Sequence, residues 1–331
     1  MAASPLQKEQ FTIAVVGSGL VGRSYAMLFA SAGYDVRVYD ASKEQLQRAV
    51  ADMEQQLSAL AADGLQRGCL TVQQTMAHVT ATDSLEDCVT GARYIQECVP
   101  EDKDLKRGVW QKIDDMMESS DVVMASSTSG IVPSLLSDHL RHRHRFLVAH
   151  PANPPMLNPM VELVPAPWTD PSAVAEARTL MEQVGQVPIV LKREIEGFVQ
   201  ARIQAAIFHV AWQLIAEDYV DPLDVETAMH EGVGAWYAFM GPFSAEHINA
   251  NGWLDLCSKY AQVVHRVQQT FSPPQPMQGP AATRLARELE RWTPRDRLAE
   301  RCAWRDRCMA ALLRLRQTLD REEQEAEQPV S

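Results

Sequence analysis

Paired cysteines are missing from this 331-residue chain. Its six cysteines, at 69, 88, 98, 257, 302 and 308, include no CxxC pair and no metal-ligand spacing. That argues against a disulfide framework, a zinc ribbon or a thioredoxin-like redox motif, and no metal is expected. Excess positive charge is missing too: 31 Lys and Arg against 43 Asp and Glu leave a formal net charge of −12. Nucleic acid and an anionic membrane are therefore poor partners, although local charge can still hold an anionic small molecule. No apolar run approaches the ~20 residues of a membrane span. No apolar h-region follows "MAASPLQKEQ". The expectation is a cytoplasmic protein with reduced thiols. Internal repeats are also lacking.

What is present suits a soluble, two-domain chain: 46% hydrophobic and 22% charged residues. Short apolar runs at 11–16, 35–40, 94–99, 122–127, 145–150, 161–166 and 188–193 read as strands. Helical patterns lie between them near 22–32, 43–64, 102–118, 133–140 and 171–185. Such alternation predicts an α/β fold, a doubly wound and mostly parallel sheet over residues 1–193. Helical periodicity dominates 194–331, which predicts an all-α second domain. Its apolar stretch "FVQARIQAAIFHVAWQLIAED" predicts a buried helix at a domain or subunit interface. The polar end "LDREEQEAEQPVS" is expected to fray.

The strongest local signal is "FTIAVVGSGLVGRS". Gly17 permits a tight turn after the strand, Gly19 lets backbone approach a pyrophosphate, and Gly22 allows close helix packing. Leu20 and Val21 open the helix, whose N-terminal N–H groups suit phosphate. The next strand ends in Asp40, a carboxylate placed to accept ribose hydroxyls and repel a 2′-phosphate. The order of strand, glycines, helix, strand and acid predicts NAD rather than NADP.

A second signal is "HPANPPMLNPMVELVP", residues 150–165. Prolines at 151, 154, 155 and 159 predict a stiff loop between His150 and Glu162. Two readings stand open on these residues alone. His150 could take an alcohol proton while Glu162 fixes its tautomer, or they could be a core histidine and an edge-strand acid. In "ASSTSG", residues 125–130, the hydroxyls read first as a polar turn capping the next helix. "RHRHR", residues 141–145, reads as a solvated cationic connection. Trp212, Trp253, Trp292 and Trp304 read as core or subunit contacts.

These pieces, with "YIQECVPED", "MVELVP", "EGF", "YAFMGPF" and "WRDRC", resemble the 3-hydroxyacyl-CoA dehydrogenase superfamily over nearly the whole chain. "QECVPED" and "YAFMGP" are similar to its short hydroxy-acid branch rather than its thioester branch. The resemblance implies a Rossmann-type N-terminal domain, a helical C-terminal domain for substrate closure and dimerisation, and a homodimer. It implies NAD-dependent oxidation of a short, L-gulonate-like hydroxy acid at its 3-hydroxyl. By position it makes His150 the base, Glu162 its partner and Ser129 a substrate contact. It puts Asp40, Glu101 and Lys106 at the cofactor. Two residues depart from the pattern. Ala201 stands where an Asn precedes Arg202, and Gln200 lies about 100° away around a helix. Trp236 stands where the branch carries an Arg for the substrate carboxylate, and it suits an apolar or cationic group. Alternatives are thus a 3-hydroxyacyl-CoA dehydrogenase, a carnitine-type dehydrogenase, or a crystallin-like structural protein with weak turnover.

Overall fold

The computed structural model describes residues 11–327. The chain forms two compact units that divide between Arg202 and Ile203. The first is built on one sheet of eight strands: β1 (Thr12–Val16), β2 (Asp35–Tyr39), β3 (Val79–Thr82), β4 (Ala92–Glu97), β5 (Val123–Ser126), β6 (Phe146–Pro151), β7 (Met160–Pro165) and β8 (Val187–Val190). Their order is β3-β2-β1-β4-β5-β6-β7-β8. Neighbours run parallel throughout, except that β7 is antiparallel to β6. The order reverses between β1 and β4, so a crevice opens beyond their carboxyl ends.

Among the described residues seven α-helices accompany the sheet: α1 (Leu20–Ser31), α2 (Lys43–Ala62), α3 (Val72–Ala77), α4 (Leu85–Val89), α5 (Lys103–Met116), α6 (Pro133–Ser137) and α7 (Pro171–Gln183). The central strand β1 reads "TIAVV" and is buried from Ile13 to Val16. A continuous apolar run is what a parallel strand covered on both faces requires. In α5 the buried residues are Lys106, Trp110, Ile113 and Asp114, one face at helical spacing. Trp110 meets Phe146 of β6 edge to face at 5.0 Å between ring centroids. The core therefore continues from β1 across α5 to β6 and brings the ends of those strands to one edge.

The second unit is helical. α8 (Gln200–Ala216) begins in the first unit and runs into the second. It is followed by α9 (Pro222–Thr227), α10 (Gly234–Tyr237), α11 (Pro242–Asn249), α12 (Trp253–Gln268), α13 (Gly279–Trp292) and α14 (Leu298–Glu327). No strand occurs among its described residues.

Within the single chain α8 leaves Ile203, Ile207 and Phe208 56%, 38% and 51% exposed, while Trp212 and Ile215 are covered. Trp253, Trp292 and Trp304 are likewise exposed within the single chain. Two expectations need correction. The polar end is helical from Leu319 as far as Glu327, where α14 continues through Arg, Glu and Gln, all good helix formers, and 328–331 lie outside the described residues. "RHRHR" is not simply solvated. Asp114, itself buried, accepts from the Arg141 and His142 amides at 2.7 and 3.1 Å and meets His142 Nδ1 at 2.8 Å. Arg145 is buried against Glu176 at 2.8 Å.

Candidate active site

The glycine turn has little latitude. A Cβ on Gly17, whose φ is +104°, would lie 2.6 Å from the Cys98 carbonyl oxygen. A Cβ on Gly22 would lie 1.8 Å from the Gly17 carbonyl oxygen. A Cβ on Gly19 meets nothing within 4 Å. The first two glycines are thus demanded by packing inside the protein, and Gly19 faces open space where a pyrophosphate could approach. Gly19 is also the N-cap of α1, and no side chain caps that helix. Its first amides, from Leu20 and Val21, remain available to phosphate oxygens.

Asp40 follows β2 and closes this turn. Its carboxylate accepts from the Ser18 amide at 2.8 Å, Ser18 Oγ at 2.9 Å, the Ser42 amide at 2.9 Å and Gln45 Nε2 at 2.8 Å. Burial pushes its pKa up, but these four donors outweigh burial and hold it below the usual carboxylate value. The two backbone donors are fixed. The two side-chain donors can swing aside for ribose hydroxyls, so the site fits an unphosphorylated ribose.

His150 and Glu162 face each other across the antiparallel pair β6–β7, as partners in register. His150 Nδ1 lies 2.7 Å from Glu162 Oε2. His150 is 7% exposed and Glu162 fully buried. The expectation that a stiff loop holds the pair is corrected here. The strand ladder holds it, Pro151 lies within β6, and the loop spans only 152–159. Arg67 and Gln186 fasten that loop through the carbonyls of Met156 and Pro155 at 3.1 and 3.2 Å.

A turn that local pattern does not show completes the pair. Gly197 and Phe198 both have positive φ, +73° and +47°. They bend the chain so that the Val199 and Gln200 amides donate to Glu162 Oε1 at 2.7 and 3.0 Å. The Phe198 ring lies 5.7 Å from the His150 ring. Burial raises the Glu162 pKa, but the bond to His150 and these two amides win and lower it. An ionised carboxylate only accepts, so Nδ1 carries the proton and Nε2 is the basic nitrogen. A buried imidazole with an anionic partner can take a proton and keep the resulting charge.

Beyond β5, Ser129 is exposed and its amide donates to Glu101 Oε1 at 3.0 Å. Thr128 Oγ1 donates to the same oxygen at 2.5 Å and accepts from the Ile131 amide at 3.1 Å. The hydroxyls therefore shape this turn; they do not cap α6, whose N-cap Val132 makes no side-chain bond. Lys106 is 1% exposed, with its ammonium 2.8 Å from Glu97 Oε1 and 3.5 Å from Glu101 Oε2. It also donates to the Val99 carbonyl at 3.0 Å. Glu97 did not stand out in the sequence; the available signal was an acid closing an apolar strand. Ala201 occupies the first turn of α8, and Trp236 of α10 lies in the helical unit, 50% exposed. His150, Glu97, Ser126 and Gly17 thus come from the carboxyl ends of β6, β4 and β5 and the turn after β1, one edge of the sheet.

Residues 12–195 match the family model for the 3-hydroxyacyl-CoA dehydrogenase NAD binding domain, and 197–284 match its C-terminal domain. The lambda-crystallin homolog of Homo sapiens is 39% identical over 306 residues, covering 92% of this chain and 96% of that one. The L-carnitine dehydrogenase of Oceanobacillus iheyensis is 34% identical over 236 residues, covering 71% and 75%. Among solved structures, 5-formyl-3-hydroxy-2-methylpyridine 4-carboxylic acid 5-dehydrogenase, an NAD+ dependent dismutase, superposes with a TM-score of 0.78 at 26% identity, covering 94% of this chain and 99% of that one. Family-model matches over both halves and likeness to the lambda-crystallin homolog over 92% of the chain lead to one assignment: the chain belongs to the 3-hydroxyacyl-CoA dehydrogenase superfamily, on its lambda-crystallin branch, and is an NAD-dependent hydroxy acid dehydrogenase.

Proposed function

We propose that the chain oxidises the 3-hydroxyl of a short, L-gulonate-like hydroxy acid to the 3-keto acid, with His150 as base and Glu162 as its partner. The observation that carries this reading is the buried 2.7 Å contact between His150 Nδ1 and Glu162. Nε2 takes the hydroxyl proton as the C=O bond forms, and Glu162 stabilises the imidazolium. NAD, when bound, accepts the hydride that leaves the carbon. Ser129 contacts the substrate from the turn after β5. Gly17, Gly19, Leu20, Val21, Gly22 and Asp40 hold the nucleotide, with Glu101 and Lys106 beside it.

Trp236 favours a second substrate class. An exposed indole can bind a cationic hydroxy acid by cation–π attraction, and an L-carnitine dehydrogenase is among the relatives. Turnover with NAD on gulonate, 3-hydroxybutyrate, carnitine and 3-hydroxybutyryl-CoA decides. The highest kcat/KM is expected on gulonate. A clear preference for carnitine would install the second reading, and one for the thioester would overturn both. NAD binding with no turnover on any of them would favour a structural role.

We also propose a homodimer formed through the helical unit. The exposed apolar face of α8 supports it, since such a face is stable when a second copy covers it. Sedimentation at micromolar concentration should show a dimer, and a fully active monomer would contradict this. All six cysteines are free, which fits a reducing, cytoplasmic setting. No described helix is long and apolar enough to cross a membrane.

A further inference from the structure

Glu97 closes β4 beside the point where the strand order reverses, in register with Val16 of β1 and Ser126 of β5. Its side chain is fully buried. A buried carboxylate is costly unless its lone pairs are met. Here three donors meet them: the Val99 amide at 2.7 Å and Lys106 Nζ at 2.8 Å on Oε1, and Ser126 Oγ at 2.6 Å on Oε2. Lys106 is equally committed. It donates to the Val99 carbonyl at 3.0 Å and reaches Glu101 at 3.5 Å. Glu101 in turn holds Thr128 Oγ1 and the Ser129 amide.

We propose that Glu97 is a positioning residue of the dehydrogenase, acting through Lys106 and Glu101 to set the place of Ser129. The cluster holds two carboxylates and one ammonium. Lys106 is fixed at the Glu97 end by the shorter contact, which leaves Glu101 free to hold the Thr128–Ser129 turn. Removing the Glu97 charge leaves Lys106 with a single anionic neighbour. The ammonium then draws Glu101 toward itself and away from the Ser129 amide. Ser126 Oγ is the second clamp, because it fixes the far oxygen of Glu97 from the strand that leads into the Ser129 turn. The proposal rests on Ser129 being a substrate contact.

The test compares full-length Glu97→Gln, Glu101→Ala, their double variant, Ser126→Ala and Ser129→Ala. Each is assayed for kcat, for KM of the best hydroxy acid and for NAD dissociation. Glu97→Gln and Glu101→Ala should each raise that KM about tenfold, the scale of one charge-assisted hydrogen bond. In Glu97→Gln and Ser126→Ala, NAD affinity and kcat should stay within about twofold, because the nucleotide turn and the His150 pair are untouched; Glu101→Ala, at a residue placed beside the nucleotide, is compared on KM alone. The double variant should be no worse than either single one, since both act on one contact. Ser126→Ala should raise KM in the same direction, by about threefold, and it carries the test if Glu97→Gln does not fold. A merely structural Glu97 would shift NAD affinity and kcat together with KM, and its effect would multiply with that of Glu101→Ala. Either result overturns the proposal, as does an unchanged KM in both Glu97→Gln and Ser126→Ala. Ser129→Ala separates the layers. A normal KM there removes Ser129 as a substrate contact. A raised KM there, with normal values in the Glu97 and Ser126 variants, removes only the role of Glu97.

Discussion

His150→Ala is expected to lose turnover by about 10²–10⁴-fold, the usual contribution of a positioned general base. Glu162→Gln should lower kcat as well, by depriving the imidazolium of its counter-charge. The two side chains form one unit through the 2.7 Å contact, so the double variant should be little worse than His150→Ala alone. NAD affinity should barely move in any of the three, since neither residue touches the Gly17–Gly22 turn. The pH profile adds a sign. Glu162 is held below the usual carboxylate value, so it stays ionised as pH falls past that value. Its contribution to stability is present above the unfolded carboxylate pKa of about 4.3 and is lost only as pH falls through the lower folded value. An acid limb of activity above that range therefore cannot come from Glu162. A kcat for Glu162→Gln equal to the parent's, with fold and NAD binding intact, would reduce the pairing to a structural one.

The second large effect concerns the choice of cofactor. Asp40 should make NAD far better than NADP, because a 2′-phosphate would lie against a carboxylate already ionised by four donors. Two like charges about 4 Å apart repel by about 4 kcal/mol at an effective dielectric of about 20, so discrimination of 100-fold or more is within reach. Asp40→Asn keeps the shape and removes the charge. It should narrow the ratio of kcat/KM values for the two cofactors by about tenfold or more. Equal use of NAD and NADP by the parent protein would sink this role for Asp40.

Much of this frame is legible in the sequence because its signals are local. Seven strands stand out as apolar runs, and the glycine turn with Asp40 lies within one strand–helix–strand passage. What escapes depends on distance or brevity. β3 is four residues of "VTAT" bonded only to β2, too short and too polar to show a period. α3 is six residues long, below the reach of helical periodicity, yet Thr71 and Gln74 form a capping box that marks its start. The burial of Glu97 is set by Lys106 and Ser126, 9 and 29 residues away. In α8 the apolar pattern is legible in the sequence, and the single chain leaves much of that face bare.

The Gly197–Phe198 bend bears on where a hybrid of two such chains could be joined. The NAD-domain match ends at residue 195, which looks like a natural seam for grafting another helical half with a different substrate preference. The two amides that hold Glu162 lie past that seam, at Val199 and Gln200. A hybrid joined there would take His150 and Glu162 from one parent and the two amides that hold Glu162 from the other. A junction after Arg202 passes the bend on intact. The His150–Glu162 pair then keeps its own backbone donors whatever helical half follows.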